Sequence, residues 1–132
     1  MAYAFTFTIP RLPNLKLAQK RCHWSAHHKE AVIWRAEMIT ATRFYRPTAP
    51  LRRARIALTL LNSIQPDYEN LCFAFKAPVD ALCRSTPQIA RANVLWDDKP
   101  AMLERHYSWE QAPRGKGGIR VRVEELAADS EG

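Results

Sequence analysis

Residues 53–84 carry the clearest structural pattern in the chain, RARIALTLLNSIQPDYENLCFAFKAPVDALCR. Residues 53–64 are largely apolar, moderately rich in β-branched side chains and flanked by turn residues, which predicts a strand. Residues 65–67, Gln-Pro-Asp, are typical of a helix start, and a helix is predicted over 68–84. Pro78 is expected to kink that helix, because an interior proline removes a backbone hydrogen bond.

The segments on either side of this stretch predict the rest of the fold. Residues 3–9 alternate large apolar with small or polar side chains, as a strand does. A helix is predicted over 25–43, with Ser25 as its N-cap. Two further strands, 103–110 and 119–126, are predicted to form a hairpin through a flexible glycine-rich loop. The order β-α-β-α-β-β predicts an α+β fold, a small mixed β-sheet packed with two main helices.

The length and composition of the chain limit its organisation and its compartment. The 132 residues, 47% of them hydrophobic, predict a single domain over 1–126 followed by an acidic, flexible tail at 127–132. No apolar run approaches the ~18–20 residues of a membrane span, so neither a membrane partner nor a membrane location is expected. Three cysteines are too few and too scattered to predict a disulfide scaffold. A cytoplasmic protein is therefore expected.

The charge of the chain is concentrated in its first part. Residues 1–55 hold 11 basic and 2 acidic side chains, a balance of +9, whereas residues 56–132 hold 9 basic and 11 acidic ones, a balance of −2. A basic segment of this kind favours a polyanionic partner, because Lys and Arg release condensed counterions when they bind phosphates. The alternative is an ordinary basic surface that keeps the protein in solution.

The predicted second helix has one ionisable face. At 100° per residue, Lys76 and Asp80 each lie within about 20° of Glu69 around the helix axis. This arrangement is typical of a site that handles a charged substrate. It is equally typical of a surface helix in which Asp67 is the N-cap and Lys76 pairs with Asp80.

A second acidic pair, Asp97-Asp98, follows the apolar residues 94–96. If this turn lies over the start of the second helix, three or four carboxylates converge, and a hard cation such as Mg²⁺ is needed to neutralise them. With a phosphodiester substrate, such a metal activates water and a lysine stabilises the developing negative charge. The alternative is an acidic turn that is simply solvated.

Several motifs, taken in order, resemble the RusA family of Holliday junction resolvases, which are mostly prophage or phage endonucleases. They are D-Y-E-N-L at 67–71, K-A-P-V-D-A-L at 76–82, V-L-W-D-D at 94–98, the K-G-G of the loop and the final R-V-R-V-E. The family signature is D-x-D-N-L, a downstream K-x-x-x-D-A-L and a D-D pair. The match is good over 67–125 and looser before it, where P-R-L-P-N at 10–14 resembles the family motif after the first strand.

The resemblance implies a function and a set of site residues. Asp67, Glu69 and Asp98 would be the ligands of Mg²⁺, with Mn²⁺ as a possible substitute. Asn70 would support the site and Lys76 would act on the scissile phosphate. The implied protein is a homodimeric, magnesium-dependent endodeoxyribonuclease that resolves four-way DNA junctions by paired symmetric nicks. It would serve recombination and repair in a bacterial or phage-infected cell, and it needs no organic cofactor.

The residues predicted to contact branched DNA come from the basic segment, from the motif at 10–14 and from the glycine-rich loop. They are Arg11, Asn14, Lys16, Lys20, Arg21, Arg52, Arg53 and Lys116. Asp80 and Asp97 also match family positions, either as structural residues or as residues behind the metal ligands.

The chain departs from the family pattern at three places. Glu69 stands where Asp is usual, the spacing to Lys76 is longer than in the shortest members, and the link 84–93 is long, with Asn93 in place of a common glycine. Asn tolerates left-handed backbone angles, so the turn at Asn93 is feasible. Two alternative functions follow: a non-catalytic protein that binds branched DNA, which Glu69 favours, and a metal nuclease that acts on flaps or forks.

Overall fold

The computed structural model describes residues 3–15 and 24–127 and contains seven regular elements. In chain order they are β1 (Ala4–Ile9), α1 (Trp24–Thr42), β2 (Ala54–Asn62), α2 (Tyr68–Ala74), α3 (Lys76–Leu82), β3 (Leu103–Gln111) and β4 (Gly118–Glu125). The fold is α+β and the predicted order β-α-β-α-β-β is confirmed, with α2 and α3 together in the place of the second helix. Apart from Ala127, the predicted tail lies outside the described residues.

The four strands form one mixed sheet in the order β1-β4-β2-β3. Strand β4 is antiparallel to both of its neighbours, with Phe7 opposite Val121 on β1 and Leu58 opposite Val121 on β2. Strand β2 pairs in parallel with β3, so that Ala54 is opposite Leu103. The parallel pair is made possible by the helical crossover through α2 and α3, because parallel neighbours cannot be joined by a tight turn.

The predicted hairpin between the last two strands is wrong. Strands β3 and β4 both pair with β2, which lies between them, and they do not pair with each other. Residues 112–117 therefore cross the end of β2. Six extended residues span about 20 Å, which is more than the two strand spacings of about 4.8 Å each that separate β3 from β4. Strand β2 takes the central position because its alternate residues, Ile56, Leu58 and Leu60, are fully buried.

The predicted single helix over 68–84 is also wrong, since it is two short helices separated at Phe75. Pro78 has no N–H to donate to the carbonyl of Ala74, and its ring would clash with that carbonyl in a continuous helix. The helix therefore ends at Ala74, four residues before Pro78, where a kink was expected. Pro78 then lies in the first turn of α3, where a backbone N–H has no intrahelical acceptor.

The helices cover only one face of the sheet. Trp34 and Met38 of α1 and Phe75 between the short helices are fully buried against the strand residues that point to that side. The opposite face is polar and joined by ion pairs, such as Arg55–Glu104 at 2.8 Å and Arg120–Glu110 at 2.8 Å. None of the helices in the described part of the chain combines the length and apolar character that a membrane span requires.

We expect Gly118→Ala to lower the free energy of unfolding by about 1–3 kcal/mol, as overpacking against fixed atoms does. A Cβ at Gly118 would overlap the carbonyl oxygen of Ile9, so the backbone of β1 must move. The matched control is Gly117→Ala, whose Cβ meets only the side chain of Leu12, which is 42% exposed and free to turn away. Urea unfolding of both variants measures the difference, and equal losses would contradict this packing.

Candidate functional site

Asp67 is the N-cap of α2, as the interpretation of this segment as a surface helix predicts. Its Oδ1 accepts a hydrogen bond from the backbone N–H of Asn70 at 2.9 Å, and its Oδ2 accepts one from the Asn70 side-chain amide at 3.3 Å. Asn70 thus orients the carboxylate of Asp67. Glu69 is exposed in the same turn. Lys76 begins α3, with its Nζ 5.0 Å from the ring centre of Phe73.

The Asp97-Asp98 turn is held firmly against β3. The backbone N–H of Asp98 donates to Oδ1 of Asp97 at 2.7 Å, and this bond holds the pKa of Asp97 below its ordinary value. Lys99 and Arg84 lower that pKa further by their positive charge. Arg105 on β3 donates to the carbonyl oxygen of Asp98 and lies 4.0 Å from its carboxylate. Arg105 therefore holds the backbone at Asp98, and the carboxylate of Asp98 remains exposed.

Three of the predicted carboxylates line one open pocket of about 400 Å³, together with two arginines, Arg84 and Arg91. The carboxylates are those of Asp80, Asp97 and Asp98, and the pocket is named here the acidic pocket. Cys83 lies among them, and burial together with these negative charges raises the pKa of its thiol to about 12. Asp80 forms an ion pair with Arg91 at 3.1 Å. The sequence predicts Asp80 on the same helix face as Glu69 and Lys76. Because the helix breaks at Phe75, Asp80 instead shares the acidic pocket with the Asp97-Asp98 turn.

Asp67 and Glu69 lie at the start of α2 and do not line the acidic pocket. Tyr107 on β3 interacts electrostatically with both the start of α2 and the acidic pocket. Burial raises its pKa to about 12, with smaller contributions from Cys72 and Tyr68 of α2 and from Asp98.

Within 3–15 and 24–127, no three or more His, Cys, Asp or Glu side chains are arranged to hold a metal ion. The three predicted ligands, Asp67, Glu69 and Asp98, are therefore not gathered into one group.

The chemistry of these donors nevertheless fits a hard divalent cation. All three carboxylates are exposed and offer only oxygen atoms. Mg²⁺ keeps several of its waters and is usually bound through one or two carboxylates plus phosphates of the substrate, and a complete protein cage is not required.

Trp96 connects the acidic pocket with a cationic surface. The guanidinium carbons of Arg52 and Arg84 lie 3.5 and 3.8 Å from the centre of its indole ring. Arg84 also donates from Nε to the carbonyl oxygen of Trp96 at 2.8 Å, and the backbone N–H of Trp96 donates to the carbonyl oxygen of Leu51 at 2.9 Å. Cation–π contacts of this kind contribute about 0.5–1 kcal/mol each at exposed sites. Arg52, Arg84 and Trp96 are called the Trp96 stack below.

Arg52 also lines a second pocket of about 600 Å³, named here the arginine pocket. Its lining residues are Tyr3, Arg46, Pro47, Thr48, Ala49, Pro50, Leu51, Arg52, Arg53, Glu125 and Leu126. In the part of the chain that the structure describes, Arg46, Arg52 and Arg53 form no ion pair, although Arg53 donates to the carbonyl of Ala127 at 3.3 Å. With three arginines and one carboxylate, Glu125, in its lining, the arginine pocket therefore carries excess positive charge, and it adjoins the acidic pocket through the Trp96 stack.

The other residues predicted to contact DNA lie apart from this surface. Arg11 pairs with Glu37 at 3.1 Å, and the backbone N–H of Asn14 donates to the carboxylate of Glu30 at 3.2 Å. Lys116 is exposed in the link before β4, at the opposite end of the sheet from Arg52. Lys16, Lys20 and Arg21 lie outside the described residues.

Three contributors to this surface, Arg46, Arg84 and Trp96, were not singled out from the sequence as binding residues. Arg46 lies in a segment with no carboxylate, RFYRPTAPLRR at 43–53, which is a usable local signal. Arg84 and Trp96 gave no such signal, because they meet Arg52 only through the tertiary fold.

No protein-family model matches the chain, and no curated protein matches its sequence. The resemblance to the RusA family therefore depends on the quoted motifs.

We expect the stability of the protein to fall as the pH rises from about 9 to about 12. The native state retains the proton of Cys83 through this range, whereas the unfolded state releases it, so alkali favours unfolding. Tyr107 acts in the same direction from about pH 10, because its pKa is also raised to about 12. In Cys83→Ala the free energy of unfolding falls less steeply with pH, by up to about 1.4 kcal/mol per pH unit. Urea unfolding of both proteins at several pH values measures this difference. Parallel declines for the two proteins would contradict the burial of the thiol.

Proposed function

We propose that the chain is a magnesium-dependent endodeoxyribonuclease that resolves four-way DNA junctions by paired symmetric nicks in recombination and repair. The observation that carries this proposal is the position of Arg52, which lines the arginine pocket and also contacts Trp96 at the rim of the acidic pocket. A surface that binds phosphates beside a surface that bears carboxylates is what metal-assisted phosphodiester hydrolysis requires. The sequence motifs that resemble the RusA family support the same conclusion.

The arginine pocket would grip the DNA backbone. Its three arginines have no carboxylate partner among the described residues, so their charge is available to phosphates. Contacts to phosphate carry no sequence information, and selection of a junction then comes from the shape of the branched DNA. This agrees with a protein that recognises a structure and not a base sequence.

The resemblance implies Asp67, Glu69 and Asp98 as the residues that would hold Mg²⁺ or Mn²⁺; of these, Asp98 lines the acidic pocket, and Asp67 and Glu69 lie apart from it at the start of α2. When bound, the metal supplies an activated water and stabilises the charge of the leaving oxygen. Asn70 orients Asp67 through its two hydrogen bonds, and Arg105 fixes the Asp98 turn. Lys76 is exposed, and its ammonium group would stabilise negative charge on the scissile phosphate.

A homodimer fits the symmetry of the substrate. A four-way junction has approximate two-fold symmetry, and two copies of one chain present two identical sites across such an axis. Paired nicks in opposing strands then follow from the geometry. Such an enzyme would work in the cytoplasm of a bacterial or phage-infected cell.

A second candidate is a protein that binds branched DNA without cutting it. Two observations favour it: Glu69 replaces the usual aspartate, and Asp67, Glu69 and Asp98 are not gathered into one group. The arginine pocket serves binding equally well with or without catalysis.

We expect the protein to cut an end-labelled four-way junction symmetrically in Mg²⁺, as seen on a denaturing gel. Asp98→Asn abolishes cleavage because it removes a carboxylate from the proposed metal site. Asn70→Ala lowers the rate about 10–100-fold, the usual cost of losing a residue that orients a metal ligand. The matched control is Glu110→Gln, which changes an exposed carboxylate paired with Arg120 and leaves the rate unchanged.

The same assay separates the alternatives. A junction that is retarded on a native gel but never cut, in Mg²⁺ or Mn²⁺, identifies the non-catalytic binding protein. Cleavage of flaps or forks with the junction left intact identifies a nuclease with a different substrate. Either result contradicts the junction-resolving function.

We expect Trp96→Leu to weaken junction binding about five- to tenfold, because Arg52 and Arg84 both lose the ring that positions them. Trp96→Phe keeps an aromatic face and retains most of the affinity. Fluorescence anisotropy in the absence of divalent metal measures binding separately from cleavage. Wild-type affinity in Trp96→Leu would show that the Trp96 stack has no part in the interface.

A further inference from the structure

The connector between α1 and β2, residues 43–53, has the composition of a nucleic-acid contact. Its sequence RFYRPTAPLRR contains four arginines and two aromatic residues, and it contains no carboxylate. Three of those arginines, Arg46, Arg52 and Arg53, line the arginine pocket. No arginine of the connector forms an ion pair within the part of the chain that the structure describes.

The two aromatic residues of the connector are placed differently. Tyr45 stacks on Phe5 of β1, with ring centres 5.5 Å apart and planes 5° from parallel, and so anchors the connector to the sheet. Phe44 is 81% exposed, more than any other large hydrophobic residue that the structure describes. The guanidinium of Arg43 lies 4.7 Å from its ring centre. One aromatic ring is thus presented to solvent next to positive charge.

The connector is held in place by backbone hydrogen bonds. The N–H groups of Tyr45 and Arg46 both donate to the carbonyl of Thr42, at 2.9 and 2.8 Å. Further along, the N–H of Leu51 donates to Val94 at 2.8 Å, and Pro47 and Pro50 restrict the backbone between these two anchors. A surface that is ordered before binding loses little conformational entropy when a ligand arrives.

We propose that the connector binds single-stranded DNA, with one unpaired base stacked on Phe44 and the adjoining phosphates on Arg46, Arg52 and Arg53. Proteins hold single strands without regard to sequence by combining exposed aromatic rings with a positively charged groove. Here the exposed ring of Phe44 lies two residues before Arg46, the first arginine of the arginine pocket. A duplex does not offer the face of an internal base to such a ring. The proposal deepens the proposed function and rests on its DNA substrate: the ligand is an unpaired nucleotide at the branch point.

The first test measures the affinity of the full chain for fluorescent oligo-dT of about 12 nucleotides, by anisotropy without divalent metal. Phe44→Ala weakens binding about tenfold, the effect expected when one base loses its aromatic partner. Arg46→Ala weakens binding and reduces the salt dependence by about one unit of slope. The matched controls, Ile64→Ala and Arg114→Ala, change an exposed apolar residue and an arginine at the other end of the sheet, and leave binding unchanged.

The second test detects the stacked base itself. A 2-aminopurine in the oligonucleotide loses fluorescence when it stacks on an aromatic ring. At saturation the wild type and Arg46→Ala quench this base, Phe44→Leu does not, and Phe44→Tyr restores the quenching. Because Phe44 is exposed, these substitutions leave the core intact, and urea unfolding confirms it.

Two outcomes overturn the proposal. In one, Phe44→Ala binds oligo-dT as tightly as the wild type does. In the other, inorganic polyphosphate binds as tightly as oligo-dT and the 2-aminopurine is never quenched, which identifies a site for charge alone. Failure here is distinct from failure of the nuclease function, since junction cleavage without oligo-dT binding contradicts only this inference. Oligo-dT binding without junction cleavage contradicts only the nuclease.

Discussion

The parallel pairing of β2 with β3 brings the arginine pocket and the acidic pocket to the same end of the sheet. Because Ala54 is opposite Leu103, the residues that precede these two strands meet at one end of the sheet. Arg52 and Arg53 precede β2, and the Asp97-Asp98 turn precedes β3. The isolated bridge between Leu51 and Leu95 extends the same alignment beyond the sheet. A cationic and an acidic segment that are distant in sequence thereby become neighbours.

The distribution of ion pairs distinguishes the open face of the sheet from the arginine pocket. On the open face of the sheet, arginines are neutralised; Arg55, for example, donates to Glu104 and so holds the pKa of that carboxyl below its ordinary value. In the arginine pocket the same residue type has no carboxylate partner among the described residues. Exposed ion pairs contribute little to stability, so the paired face needs no functional explanation. Clustered unpaired arginines repel one another, and binding of phosphate relieves that repulsion.

Local features of the fold could be predicted from the sequence, and non-local ones could not. The alternation in residues 3–9 and the N-cap at Asp67 depend on neighbours within a few residues, and both are present in the structure. The hairpin prediction was wrong because a glycine-rich link is compatible both with a tight turn and with a crossing over β2. The helix breaks at Phe75 because the ring of Pro78 would clash with the carbonyl of Ala74 in a continuous helix. A prediction that places the kink at Pro78 itself therefore puts the break too late in the chain.

The candidate site was predicted less completely for the same reason. The sequence predicts Asp97 and Asp98 as a pair. For Asp80 it offers Lys76 as a partner, whereas the structure pairs Asp80 with Arg91 of the long link 84–93. Arg84 reaches Trp96 only because the link after α3 folds back, with the N–H groups of Val94 and Leu95 both donating to Leu82. No spacing in the sequence encodes that contact.

The central claim is that the arginine pocket and the acidic pocket form one surface for DNA. Backbone hydrogen–deuterium exchange of the full chain, with and without a four-way junction and in the absence of divalent metal, tests it most directly. The account predicts slower exchange at both 43–53 and 96–102 when the junction is bound. Protection confined to one of the two segments, or absent from both while the junction is bound, would contradict it.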